Sequence, residues 1–137
     1  MREIRWKCDE KGCYRQLMPR LGVFDECFDG RIGMSDVDGI VEIAGSFLIM
    51  EWKAPGGAVS TGQRIMFERL TALSRKLTVI LVHGNPADMS VTAVRVFHSG
   101  AAGSVERCDI RELKARIFAW AERAKMARVR PSMRAQA

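Results

Sequence analysis

The sequence predicts an α/β fold, a mixed β-sheet flanked by helices in the order α-β-β-β-α-β-β-α, and three observations carry that expectation. Two β-rich runs, Asp36–Ile43 and Ser46–Lys53, enclose the short Ala44-Gly45 pair as a hairpin would. The run Thr78–Val82 (TVILV) is apolar without interruption, as in a strand buried on both faces. Two stretches with apolar residues at helical spacing follow the hairpin and close the chain.

Taken in order, Cys13, Leu17 and Leu21 recur at helical spacing within Asp9–Leu21, which predicts a first helix ending near Pro19 to Gly22. Val23–Arg31 alternates loosely and closes on an Asp-Gly pair, which reads as a short strand or an irregular approach to the sheet. After the hairpin, Ala54-Pro55-Gly56-Gly57 breaks regular structure, and Ser60 or Thr61 can cap a helix running to about Lys76. Its core stripe is read as Met66, Leu70, Leu73 and Leu77, with Arg64, Glu68, Thr71 and Arg75 on the outer side. Val91–His98 reads as a further, less buried strand. The last helix, from about Asp109 to Ala127, carries Ile110, Leu113, Ile117, Ala121 and Ala124 on one stripe with Trp120 beside it.

A chain of 137 residues with 47% hydrophobic content can bury the core of one ordinary domain, expected over residues 1–130, with 131–137 as a disordered basic tail. No stretch reaches the roughly 18 apolar residues of a membrane span, and MREIRWKCDEKG has no apolar signal core, so a soluble cytoplasmic protein is expected. Four irregularly spaced cysteines are expected as reduced thiols, since one loose pair, Cys8 and Cys13, is a poor match to structural zinc spacing. The net charge is +6, and residues 107–137 hold nine Lys or Arg against three Asp or Glu while the rest of the chain holds thirteen of each. The excess therefore lies at the C-terminal end. Arg111, Lys114, Arg116, Arg123, Lys125 and Arg128 of the last helix suit a phosphate backbone, by Coulomb attraction and counterion release.

The chemistry concentrates at the hairpin. If Ala44-Gly45 is a two-residue loop, Ile43 faces Ser46, Asp38 sits opposite Glu51 and Asp36 opposite Lys53. All four then share one end of one face, because side chains two apart on a strand point the same way. A three-residue loop would turn Asp38 away from Glu51. Three acids gathered at the end of apolar strands repel one another and resist desolvation unless a cation joins them. Oxygen ligands from Asp38 and Glu51, with the Trp52 carbonyl and Asp36 as a further acid, suit Mg²⁺ or Mn²⁺ better than zinc. Such a cation would acidify a water and neutralise charge on a phosphate, with Lys53 orienting the nucleophile or stabilising developing charge. Gln63 falls seven residues before Leu70, on the core stripe in the first turn of its helix, where it either reaches the carboxylates across the sheet or bonds backbone as a capping-region glutamine. Trp52, between Glu51 and Lys53, is expected on the opposite face, packed with Met50 and Leu48.

The segment GMSDVDGIVEIAGSFLIMEWKAPGGAVSTGQ resembles the signature of PD-(D/E)XK nucleases, especially the VRR-NUC and Holliday-junction-resolvase-like branches often encoded by phages; the similarity covers about residues 33–84. It implies a restriction-endonuclease-like core and a Mg²⁺- or Mn²⁺-dependent endonuclease acting on nucleic acid, DNA first and branched forms included. Position by position it implies Asp38 as metal-binding aspartate, Glu51 as second metal ligand, Lys53 as catalytic lysine and Gln63 as supporting glutamine. The proline that names the motif is absent, Ser35 standing before Asp36, and Asp36 or Asp38 can be the family aspartate; Asp38 is preferred because it faces Glu51. Relatives often add a glutamate from the first helix, for which Glu10 and Glu26 are both available. A homodimer, cutting two strands symmetrically, also fits this reading. The competing expectations are a non-catalytic nucleic-acid-binding or accessory module of a phage or mobile element that retains the fold, and a protein-interaction domain whose basic helix meets an acidic partner.

Overall fold

The turn at Ala44-Gly45 organises the sheet. Ala44 (φ 50°) and Gly45 (φ 84°) are both left-handed in the computed structural model, the conformation of a type I′ turn whose twist matches that of antiparallel strands. Strand β1 (Gly39–Ile43) therefore pairs with β2 (Ser46–Lys53) with Ile43 opposite Ser46 and Gly39 opposite Met50, as a two-residue loop requires. The Gly45 N–H donates to Glu42 Oε2 at 2.7 Å, which holds the turn closed.

The structure describes residues 19–129, the side chains of 128 and 129 excepted. The chain divides into two units, 1–36 and 37–137. The described part of the first holds one 3-10 helix, Leu21–Cys27, in which no residue is buried. The Val23–Arg31 segment is thus not a strand: Asp25, Glu26 and Asp29 interrupt its alternation, and local bonds such as Val23 N–H to Arg20 O at 3.1 Å satisfy the backbone instead. The predicted first helix lies almost wholly outside the described residues, as do Cys8, Cys13 and the 131–137 tail.

In the second unit β2 is followed by helix α1 (Thr61–Ala72), strands β3 (Leu77–Asn85) and β4 (Ser90–His98), two short strands β5 (Ala101–Ala102) and β6 (Glu106–Arg107), and helix α2 (Ile110–Val129). The sheet is mixed and six-stranded, in the order β1-β2-β3-β4-β5, with β6 also on β4. β3 runs parallel to β2 and antiparallel to β4. The two short strands were not anticipated, because a pair of residues is too short to carry an alternation. Among the described residues no helix is long and apolar enough to cross a membrane.

Period-two alternation splits the core between the faces of the sheet. Leu48, Ile80, Val82 and Val94 point to one face, where Leu113, Trp120 and Ala124 of α2 cover them, with Met50 and Trp52 packed alongside. Ile49, Val79, Leu81 and Phe97 point to the other, under Phe67 of α1. The stripe of α2 is the one its sequence predicts. That of α1 is rotated: Phe67 and Thr71 are buried, while Met66 is 39% and Leu73 77% exposed. Two contacts account for the roll. Phe67 meets Phe97 edge to face at 5.3 Å, and the Thr71 hydroxyl donates to Phe67 O at 2.8 Å and accepts from Gly100 N–H at 3.1 Å. A threonine that satisfies its hydroxyl in this way can be buried as an apolar residue would be. The helix also ends at Ala72 rather than near Lys76, and the Ser74 hydroxyl accepts from the Lys76 N–H at 3.1 Å in the loop beyond.

Candidate functional site

The same alternation that buries Ile49 brings Glu51 and Lys53 to the α1 face at the C-terminal end of β2. Glu51 is only 8% exposed, so its carboxylate lies almost out of water. Lys53 Nζ stands 3.8 Å from Glu51 Oε1, with more of its side chain open to solvent. On the neighbouring chain segment Asp38 immediately precedes β1, and its Oδ2 accepts the Trp52 backbone N–H at 2.8 Å. That bond extends the hairpin by one residue through a side chain and fixes the Asp38 carboxylate beside the backbone that joins Glu51 to Lys53. Asp38 itself is exposed, so the cluster has a buried inner carboxylate and an open outer one.

Helix α1 supplies the remaining member. Ser60 caps the helix by accepting the Gln63 N–H at 3.1 Å, which sets Gln63 in the first turn, and the Gln63 amide donates from Nε2 to Glu51 Oε1 at 3.1 Å. A carboxylate accepts only from a donor, so the amide nitrogen is assigned to Glu51 and the amide oxygen turns away. That Oε1 is buried and, among the described residues, has no hydrogen-bond partner. A buried carbonyl oxygen in this condition costs about 1–3 kcal/mol and calls for a proton donor such as a water molecule.

The structure thus brings together Asp38, Glu51, Lys53 and Gln63. It sends Trp52 to the opposite face, where its Nε1 donates to Met50 Sδ at 3.1 Å. Asp36 ends the first unit, exposed; Glu26 lies in the 3-10 helix of that unit, and Glu10 falls outside the described residues. The basic residues of the last helix are not beside the cluster. α2 covers the Leu48–Trp52 face, so Arg111, Lys114, Arg116, Arg123 and Lys125 belong to the far side of the sheet, and the side chain of Arg128 is outside the described residues. Two of those cations are already engaged, Arg116 with Glu106 and Lys125 with Glu122.

Two further residues lie on the cluster's own face, His83, a strand-end histidine that the sequence leaves open between the site and the surface, and Arg95, which it does not single out. His83 is in register with Lys53 on the adjacent parallel strand, about 5 Å away along the sheet. Arg95 lies in the row Glu51–Leu81–Arg95, two strands from Glu51, with its guanidinium over Phe97 at 5.6 Å and its Nε donating to Gly103 O at 2.8 Å. The alternation in VTAVRVFH, with Arg95 two residues before Phe97, contains this signal once the buried face is known.

Among the described residues no group of three or more His, Cys, Asp or Glu is gathered to hold a metal ion. The cluster offers two carboxylates, Asp38 and Glu51, and the Trp52 carbonyl is the further oxygen the sequence suggests beside them. Oxygen-only donors in this number suit a Mg²⁺ or Mn²⁺ that keeps part of its coordination for water and substrate oxygen. The unpartnered Gln63 Oε1 is consistent with that fit, since it would accept from a water beside Glu51. No family model, curated protein or solved structure matches this chain.

Proposed function

We propose that this chain is a metal-dependent nuclease with a restriction-endonuclease-like core, hydrolysing phosphodiester bonds of nucleic acid by the PD-(D/E)XK chemistry its hairpin resembles. The observation that carries the reading is the convergence on Glu51 Oε1 of an amide from α1 at 3.1 Å and the Lys53 ammonium at 3.8 Å. A carboxylate taken out of solvent and oriented by a helix residue is an arrangement suited to a fixed ligand, and a surface salt bridge gains little from it.

Asp38 and Glu51 would hold Mg²⁺ or Mn²⁺ together with the Trp52 carbonyl. The cation's contribution is to lower the pKa of a water and to neutralise charge on the phosphate. Lys53, partly open to solvent, would meet the phosphate oxygens and offset the charge that grows on them in the transition state. Gln63 holds the Glu51 carboxylate in one orientation, and the Asp38 bond to Trp52 N–H does the same for the second acid. Burial of Glu51 keeps bulk water from screening its own charge.

The test is cleavage of plasmid, single-stranded and four-way-junction DNA with Mg²⁺ or Mn²⁺, comparing the native chain with Glu51→Gln and Lys53→Ala. Metal-dependent cutting is expected, falling by about a hundredfold or more in each variant. No cutting on any substrate, with no Mn²⁺ binding by calorimetry, overturns the reading in favour of a non-catalytic binding module.

A further inference from the structure

The basic end of the chain has a setting of its own. On the sheet face opposite Glu51, a cleft of about 520 Å³ lies between the second half of α2 and the strand ends around Ser46, Thr78 and His98. Its apolar lining includes Leu48, Ile80, Val96 and Trp120. Its cations are Arg75 and Lys76, from the loop joining α1 to β3, and Arg116 and Arg123 from α2; no Asp or Glu is among the described lining residues. Arg116 is bound to Glu106, whereas Arg75, Lys76 and Arg123 form no ion pair among the described residues.

Cations grouped around apolar walls repel one another, and an anion relieves that repulsion more strongly there than in open water. The loop that carries two of them is tied down on both sides. Phe47 N–H donates to Lys76 O at 2.7 Å, and His98 Nε2 bonds Arg75 O at 3.1 Å while its Nδ1 meets Ser99 Oγ at 3.0 Å. The anchoring lowers the ordering entropy a ligand would otherwise cost. The volume lies within the usual range for small-molecule sites, roughly 300–1,000 Å³. Three unpaired cations match the charge of a phosphate or diphosphate, which a single carboxylate does not, and the apolar walls suit a ring carried next to it.

We propose that this cleft binds a small organic phosphate of the nucleotide class, the phosphates against Arg75, Lys76 and Arg123 and the ring along Ile80, Val96 and Trp120. The site is separate from the Glu51 cluster and does not depend on the nuclease reading.

The experiment is calorimetric titration of the full chain, in EDTA so that the carboxylate cluster cannot recruit a cation, with ADP, inorganic pyrophosphate and adenosine as probes. ADP is expected to bind about tenfold or more tightly than either fragment. Arg75→Glu and Arg123→Glu should each weaken it by about tenfold or more, and Arg123→Gln, a milder change at an exposed position, should weaken it in the same direction. Lys114→Glu makes the same charge change on α2 outside the cleft and should alter affinity by less than about threefold. Far-ultraviolet circular dichroism checks that every variant is folded. Absence of heat with millimolar ADP, pyrophosphate binding as tightly as ADP, or an equal loss in Lys114→Glu would each overturn the proposal.

Discussion

Replacing Gln63 by leucine separates two roles that one side chain can play. The Nε2 bond to Glu51 at 3.1 Å is a hydrogen bond to a carboxylate, and such bonds contribute about 1.5–3 kcal/mol. On the same amide, Oε1 is buried without a partner among the described residues, at a cost of about 1–3 kcal/mol. Leucine removes both at nearly constant volume, so the opposing changes largely cancel and net stability is expected to move by no more than about 1 kcal/mol. For a domain near this size that is a melting shift of at most about 4 °C. Cleavage should respond quite differently, because Glu51 loses the donor that orients its carboxylate; supporting residues of this kind typically change metal affinity or activity by about 10–100-fold. The assay pairs thermal unfolding in EDTA with single-turnover cleavage in Mn²⁺. A destabilisation of about 3 kcal/mol with unchanged cleavage by the folded fraction would refute the argument and make Gln63 a structural tie between α1 and β2.

Four further outcomes follow from the fold. Ala44→Asn places a residue that tolerates left-handed backbone at φ 50°, and should raise stability by about 0.5–1 kcal/mol in urea unfolding; no gain would mean that the turn's strain is relieved elsewhere. Phe67→Ala empties the centre of the α1 face and loses the edge-to-face contact with Phe97, so a loss of about 3–5 kcal/mol is expected from the same measurement. Burial pushes the Cys108 thiol above its ordinary pKa, only partly offset by Arg116, so alkylation near neutral pH should modify exposed Cys27 well before Cys108, as peptide mass mapping would read. Because the folded thiol keeps its proton to higher pH than the unfolded one, its contribution to stability is complete below the ordinary thiol value. It is lost as the pH climbs through the raised one, so the urea midpoint should fall across the alkaline range and fall less in Cys108→Ala.

Much of the candidate site could be read from the hairpin alone. Ala44-Gly45 is short enough to impose one register, and with side chains repeating every two residues, that register puts Asp38 opposite Glu51 and sends Trp52 to the other face. Gln63 was legible for a similar reason, its place in the first turn following from the Ser60 cap. The roll of α1 was harder to see. Met66 and Leu73 are as apolar as the residues that are buried, and only the docking of Phe67 on Phe97 and of Thr71 on Gly100, both far away in sequence, decides between two nearly equivalent stripes.

Local periodicity, turn chemistry and capping are properties of neighbouring residues, so the sequence by itself determined the hairpin register, the buried core Thr78–Val82 of the strand Leu77–Asn85, the stripe of α2 and the placing of Asp38 beside Glu51 and Lys53. Which helix covers which face was decided only by the tertiary structure. β3 lies parallel to and beside β2, so α1 is the crossover between them, and crossovers of one hand are so strongly preferred that the strand order selects the face. With α1 over Glu51, α2 and its cations are left to cover the other side. The helix whose cations the sequence suits to a phosphate backbone thus flanks a separate cleft, because strand order is a long-range pairing that no local pattern encodes.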